Sequence, residues 1–174
     1  MAKRYCFDSN VFIRAKNFEY QFAIAPGFWD WIDRLLYNGL LICGHMVYEE
    51  LHTKVDPLSD WIEKRERYFL DPENREQTAF SRIGSHVSSY YRDEKVRVFL
   101  SGADPWVIAS AMANDLVVVS MESRIINPES TSKIKIPNIC DHFTVECISM
   151  YSCMLRTKAV LELKKNEDDV FRLI

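Results

Sequence analysis

Residues 102–122 read GADPWVIASAMANDLVVVSME, and the order of elements within them decides the fold. Asp104 suits an N-cap, and Pro105 suits the first helical position, where its missing N–H has no partner to lose. Trp106, Val107, Ile108, Ala109, Ala111, Met112 and Ala113 predict a helix apolar on nearly every side, which implies burial. Asn114-Asp115 predicts the helix stop and turn. Leu116 to Val119 is a continuous apolar, β-branched run, the pattern of a strand covered on both faces of a parallel sheet. Ser120, Met121 and Glu122 follow it. In a parallel α/β unit helices begin at the edge where strands end, so Asp104 and Glu122, 18 residues apart in the chain, are expected on one edge. Ligands of open α/β sheets bind there.

Tyr5-Cys6-Phe7 predicts a first strand that runs into Asp8-Ser9-Asn10, so Asp8 is expected on the same edge. Val11-Phe12-Ile13 begins a helix. Pro26-Gly27 opens another, with Phe28, Trp29, Ile32, Leu35 and Leu36 on one face, and Asn38-Gly39 closes it. Leu40 to Cys43 predicts the second buried strand, and a helix over Met46 to Leu51 follows it. Glu50 neighbours Val47 and Leu51 on that helix, while Glu49 points roughly 100° away; Glu50 is preferred for the site, with Glu49 the alternative. From Thr53 to Leu100 the chain reads as a helical insertion, with starts at Ser59 and Asp71-Pro72. Beyond Glu122 the expectations are a polar loop over Asn127 to Lys133, a short extended segment over Ile134 to Pro137, a last strand over Val145 to Ile148 and a short helix over Met150 to Leu155. The charged tail ELKKNEDDVFRLI reads as exposed. The expected class is α/β: three layers, α/β/α, around a central, mainly parallel sheet, with the helical insertion between the second and third strands, in a single domain spanning residues 1–174.

Composition narrows the function. The chain is 48% hydrophobic and 27% charged with a net charge of −3, so any nucleic-acid contact has to be local. Its five cysteines show no paired CxxC spacing. Cys6, Cys43 and Cys147 lie in apolar runs and read as core residues; Cys140 and His142 are too few for a zinc site. MAKRYCFDSN has no apolar stretch of a signal peptide, and no apolar run approaches the ~18 residues of a membrane span. A cytoplasmic protein with reduced thiols is expected.

Asp8, Glu50, Asp104 and Glu122 thus come from four separate places to one edge. Clustered carboxylates repel unless protons or cations neutralise them. Hard oxygen ligands suit Mg²⁺ or Mn²⁺, and such a metal can activate water and stabilise charge on a phosphodiester. Ser9, Asn10 and Ser120 are candidates to orient the carboxylates or hold waters beside them. Taken singly each acid has an ordinary role: a turn at Asp8, an N-cap at Asp104, a helix surface at Glu50, a loop at Glu122. Lys64, Arg65, Arg67, Arg124, Lys133 and Lys135 are candidates for contacts to nucleic-acid phosphates; a solvated helix face accounts for the first three equally well.

At these residues the sequence resembles the PIN-domain family. The matching pieces are the strand into Asp8-Ser9-Asn10, Glu50-Leu51 after the second strand, Asp104 before an apolar helix, and VVVSME, where Ser120 and Glu122 fall on that family's Thr/Ser and acid. More narrowly it resembles a PIN-like group with a PGFWDW helix, here Pro26 to Trp31, and a SGADPW helix start, here Ser101 to Trp106; KIPNIC, Lys135 to Cys140, fits the same group. The resemblance runs from about Tyr5 to Leu155. It implies a PIN-like, Mg²⁺- or Mn²⁺-dependent endoribonuclease, the toxin of a toxin–antitoxin pair, with metal-binding acids Asp8, Glu50, Asp104 and Glu122. The implied partners are an RNA substrate and an antitoxin protein; a homodimer is a further expectation, and no membrane is involved. Glu122 stands where many members have Asp, and its longer reach shifts the metal or weakens a second site. The alternatives are a PIN-like domain that binds RNA or a protein without cutting, and an α/β phosphohydrolase for small molecules. The last is disfavoured by the absence of a Gly-rich phosphate loop and of a nucleophile-plus-base pair.

Overall fold

The computed structural model describes residues 3–126 and 133–162. Residues 127–132 of the expected polar loop, and the charged tail beyond Glu162, lie outside the described residues. The central sheet has three parallel strands in the order β1 (Tyr5–Phe7), β4 (Val117–Val119), β5 (Cys147–Ile148). A second parallel pair joins β2 (Cys43–Gly44) to β3 (Phe69–Leu70). It abuts the first sheet through a bridge between Tyr5 and Leu41, where Tyr5 N–H donates to the Leu40 carbonyl (2.8 Å) and Ile42 N–H to the Tyr5 carbonyl (2.9 Å).

Alternation along β1 sorts the helices into two outer layers. Cys6 faces α7 (Asp104–Asn114), and its thiol approaches the Val107 carbonyl at 3.5 Å. Phe7 faces the other way, against Phe12 of α1 (Ser9–Asn17) and Trp31 of α2 (Pro26–Tyr37). Trp31 also donates to Thr157 (3.0 Å), which ties α2 to the end of α9 (Met150–Arg156). The sheet is therefore covered on both faces, as its apolar strands require. Val117, Val118 and Val119 are fully buried, each contributing about 1.5–3 kcal/mol of hydrophobic stabilisation.

The remaining described helices are α3 (His45–Leu51), α4 (Pro57–Glu63), α5 (Asn74–Tyr90), α6 (Asp93–Leu100) and α8 (Ile136–His142), with a 3₁₀ turn at Glu66–Tyr68. Helices α4, α5 and α6 lie between β2 and β4 as the insertion expected over Thr53 to Leu100, which is not wholly helical, since it also carries β3 paired with β2. α5 packs along α7, where Phe80 stacks on Trp106 with ring centroids 4.2 Å apart.

Several local expectations differ from the structure. Asp104 is the first residue of α7, not its N-cap; Ala103 holds that position and no side chain caps the helix. Asp115 ends α7 in the left-handed region (φ 51°), a conformation that Asp tolerates better than most residues. The run Leu40 to Cys43 is divided between two sheets, with Leu41 bridging to β1 and Cys43 pairing with Phe69. α4 is capped by Asp56, whose Oδ1 accepts from Leu58 and Ser59 N–H; Ser59 completes the capping box instead of opening the helix. α5 begins at Asn74, after Asp71-Pro72. Ile134 to Pro137 is not an extended segment, because Ile136-Pro137 opens α8 with proline in its first turn, where its missing N–H costs nothing.

Candidate active site

Asp8 sits one residue past β1. The register that pairs Phe7 with Val119 lets Asp8 N–H donate to the Val119 carbonyl at 3.0 Å, so Asp8 lies beside Ser120 at the carboxyl end of β4. Asp8 is fully buried. It is the N-cap of α1, with Oδ1 accepting from Asn10 N–H at 3.2 Å and from its side-chain amide at 3.4 Å. Its Oδ2 accepts from the Ser120 hydroxyl at 3.0 Å, and Ser120 Oγ in turn accepts from Glu122 N–H at 3.1 Å. Burial raises the Asp8 carboxyl from 3.8 to about 6, against the opposing hydrogen bonds from Asn10 and Ser120 and with a further push from Glu122.

Asp104 reaches the same edge from the start of α7. No hydrogen bond to its carboxylate is found among the described residues. Burial raises it from 3.8 to about 7, reinforced by the charges of Asp8, Glu122 and Glu50, while Lys135 opposes them. Three expected acids from three other segments of the chain therefore act on Asp104 through space.

Glu50 lies on α3 and its Oε2 accepts from the buried Ser9 hydroxyl at 2.6 Å. Glu49 instead pairs with His45 one turn earlier, at 3.0 Å. Of the two, Glu50 is the one linked to the Asp8 segment. Ser9, Asn10 and Ser120 thus all touch an acid of the cluster.

Glu122 is held in a way that its sequence context did not announce. Its Oε1 accepts from Lys135 Nζ at 2.7 Å and its Oε2 from Ile136 N–H at 2.9 Å. The loop carrying it is pinned by Asn138, which accepts from Ile125 N–H (3.1 Å) and donates to the Ile125 carbonyl (2.8 Å). Nothing local marks these partners, since they lie 13 or 14 residues away in the chain.

The basic candidates have different partners. Arg65 makes a two-pronged pair with Asp33, donates to the Trp61 carbonyl at 2.7 Å and lies over the Trp61 ring at 4.0 Å, so it fastens α4 to α2. Arg67 bonds the Tyr68 hydroxyl (2.9 Å), and Lys64 is exposed at the end of α4. Arg124 forms a two-pronged pair with Asp141 at 2.9 and 3.0 Å. Lys133 is exposed. Lys135 is bonded to an acid of the cluster, Glu122.

Cys6, Cys43 and Cys147 are buried, as are Cys140 and Cys153. Cys140 is enclosed while His142 is exposed and stacks on His86 with ring centroids 3.5 Å apart, so the C-x-H pair diverges. Among the described residues no three His, Cys, Asp or Glu side chains are drawn close enough to ligate one ion as they stand. The donor set nevertheless fits a hard divalent cation in kind: carboxylate oxygens, one carboxylate without a hydrogen-bond donor among the described residues, and like-charge repulsion on Asp104. Among the described residues no helix is long and apolar enough to cross a membrane.

Residues 5–161 match the family described as a domain of unknown function (DUF4411), and the chain belongs to that family. No curated protein matches the chain.

Proposed function

We propose that the chain is a PIN-like, metal-dependent endoribonuclease acting in the cytoplasm as the toxin of a toxin–antitoxin pair. The observation that carries the nuclease is the Asp104 carboxyl, without a hydrogen-bond donor among the described residues and raised to about 7 by burial and by Asp8, Glu122 and Glu50. Such a group is suited to a cation. Asp8 and Asp104 would hold a Mg²⁺ or Mn²⁺ ion, with Glu50 and Glu122 beside them. When bound, the ion supplies an activated water and stabilises charge on the phosphodiester. Asn10 and Ser120 fix the Asp8 carboxylate from both oxygens, and Ser9 fixes Glu50. A proton on Asp104 competes with the cation, so cleavage is expected to fall as the pH drops below about 7. The toxin role and its antitoxin partner rest on the resemblance carried by PGFWDW and SGADPW.

The experiment is cleavage of a mixed set of RNAs, with single-stranded DNA alongside, in Mn²⁺, Mg²⁺ or chelator, by wild type, Asp8→Asn and Asp104→Asn. Metal-dependent cleavage of RNA lost in both folded variants supports the assignment. Wild-type turnover in either variant removes that residue from the site. The alternative, a PIN-like domain that binds RNA or a protein partner without cutting, is favoured by one observation: both Glu122 oxygens are already engaged by the chain itself. RNA retained without cleavage under every metal condition would establish it.

A further inference from the structure

Lys135 and Ile136 grip one carboxylate from consecutive positions. The Lys135 ammonium takes Glu122 Oε1 and the Ile136 N–H takes Oε2. The pair is partly shielded, with side-chain exposures of 26% for Lys135 and 15% for Glu122, so it is less screened than a surface ion pair. The Lys135 charge also reaches Asp104, where it opposes the three acids. Other cations of the expected phosphate path are spent elsewhere, Arg65 on Asp33 and Arg124 on Asp141.

We infer that Lys135 is a positioning residue that occupies Glu122 in place of a divalent cation and must be displaced from Oε1 when that cation binds. The inference rests on the reading of the acidic edge as a cation site. An ammonium and a divalent ion cannot share a carboxylate oxygen at contact distance without strong like-charge repulsion. Lysine suits such an exchange: its charge is a point on a flexible four-carbon stem, so it can leave one oxygen without disturbing the backbone. The Ile136 N–H is fixed at the start of α8 and keeps Oε2, so Glu122 stays in place while Oε1 is freed. The released ammonium then stands beside the acids, placed to meet an anionic phosphodiester oxygen. No covalent bond is made or broken; the Lys135 hydrogen bond to Oε1 would give way to the divalent cation.

The test measures Mn²⁺ binding without substrate, from the electron paramagnetic resonance signal of free Mn²⁺, on chelator-stripped wild type, Lys135→Met and Lys135→Arg. Melting in chelator checks that each is folded. Lys135→Met is expected to bind Mn²⁺ about 10-fold more tightly, although it loses an ion pair and melts lower. Lys135→Arg, which keeps the charge and can hold Glu122 by two prongs, is expected to bind no more tightly than wild type. A merely structural role for Lys135 leaves Mn²⁺ affinity unchanged or lowers it. Equal or weaker binding by folded Lys135→Met overturns the inference and leaves the cation site standing. If Lys135→Met does not fold, tighter binding by Lys135→Arg overturns it, and binding equal to or weaker than wild type supports it. Mn²⁺ binding by none of the three overturns both the inference and the site on which it rests.

Discussion

Asp104→Asn should stabilise the metal-free protein at pH 8, and at pH 5 by only about a third as much. The carboxyl titrates at about 7 in the folded chain, against an ordinary 3.8, because it is buried and faces Asp8, Glu122 and Glu50. A raised carboxyl means that between these values the folded state keeps a proton that the unfolded state has released. Stability is therefore fully present below about pH 4, falls as the pH rises, and is lost above about 7. The full difference corresponds to about 4 kcal/mol. Asp104 is half-buried, so solvent and relaxation of the cluster reduce the expected gain at pH 8 to about 2–4 kcal/mol. For a chain of this size that is a rise in melting temperature of roughly 5–15 °C. Asparagine keeps the shape, and it forfeits neither a cap, since Ala103 is the N-cap, nor a hydrogen bond accepted by the carboxylate from the described residues. Calorimetric melting of both proteins in chelator at pH 5 and pH 8 reads the effect. An equal shift at both pH values, or a loss at pH 8, would refute the convergence of charge on Asp104. Mn²⁺ should add stability to wild type and much less to the variant, because only binding to the folded state stabilises.

Glu122→Gln should have the opposite sign to Asp104→Asn: it weakens the bonds from Lys135 and Ile136 and should cost about 1–2 kcal/mol in chelator, read by melting; a raised melting temperature would show that repulsion dominates at Glu122 too. Ser9→Ala frees Glu50 from its 2.6 Å hydrogen bond and should lower metal-dependent cleavage about 10–100-fold with little change in melting; unchanged turnover would show that Glu50 needs no orienting group. Arg65→Ala should destabilise the fold by about 1–3 kcal/mol, by severing α4 from α2 at Asp33 and Trp61, while RNA affinity in a filter-binding assay stays the same. Reduced RNA affinity at an unchanged melting temperature would return Arg65 to the substrate path.

The part of the fold that can be read residue by residue is the part set by short-range chemistry. The apolar run Leu116 to Val119, the stop at Asn114-Asp115 and the proline-led start of α2 can be read from neighbouring residues, because burial pattern, left-handed tolerance and a missing N–H are properties of a few adjacent positions. Parallel connection rules then predict Asp8, Glu50, Asp104 and Glu122 on one edge, and the charges of the other three help to raise the Asp104 carboxyl. Tertiary structure decided whatever depends on a distant partner. The Phe69–Leu70 strand is too short to show a period and exists only because Cys43–Gly44 lies beside it. Ile134 to Pro137 reads as a short extended segment, yet Ile136-Pro137 opens a helix whose first N–H is taken by Glu122. Arg65 and Arg124 read as free cations until Asp33 and Asp141 are placed against them. Lys135 read as a contact for phosphate; only the packing of α8 beside α7 and β5 brings its ammonium to Glu122, because an ion pair between residues 13 apart is fixed by where two backbones meet and by nothing in either residue's own neighbourhood.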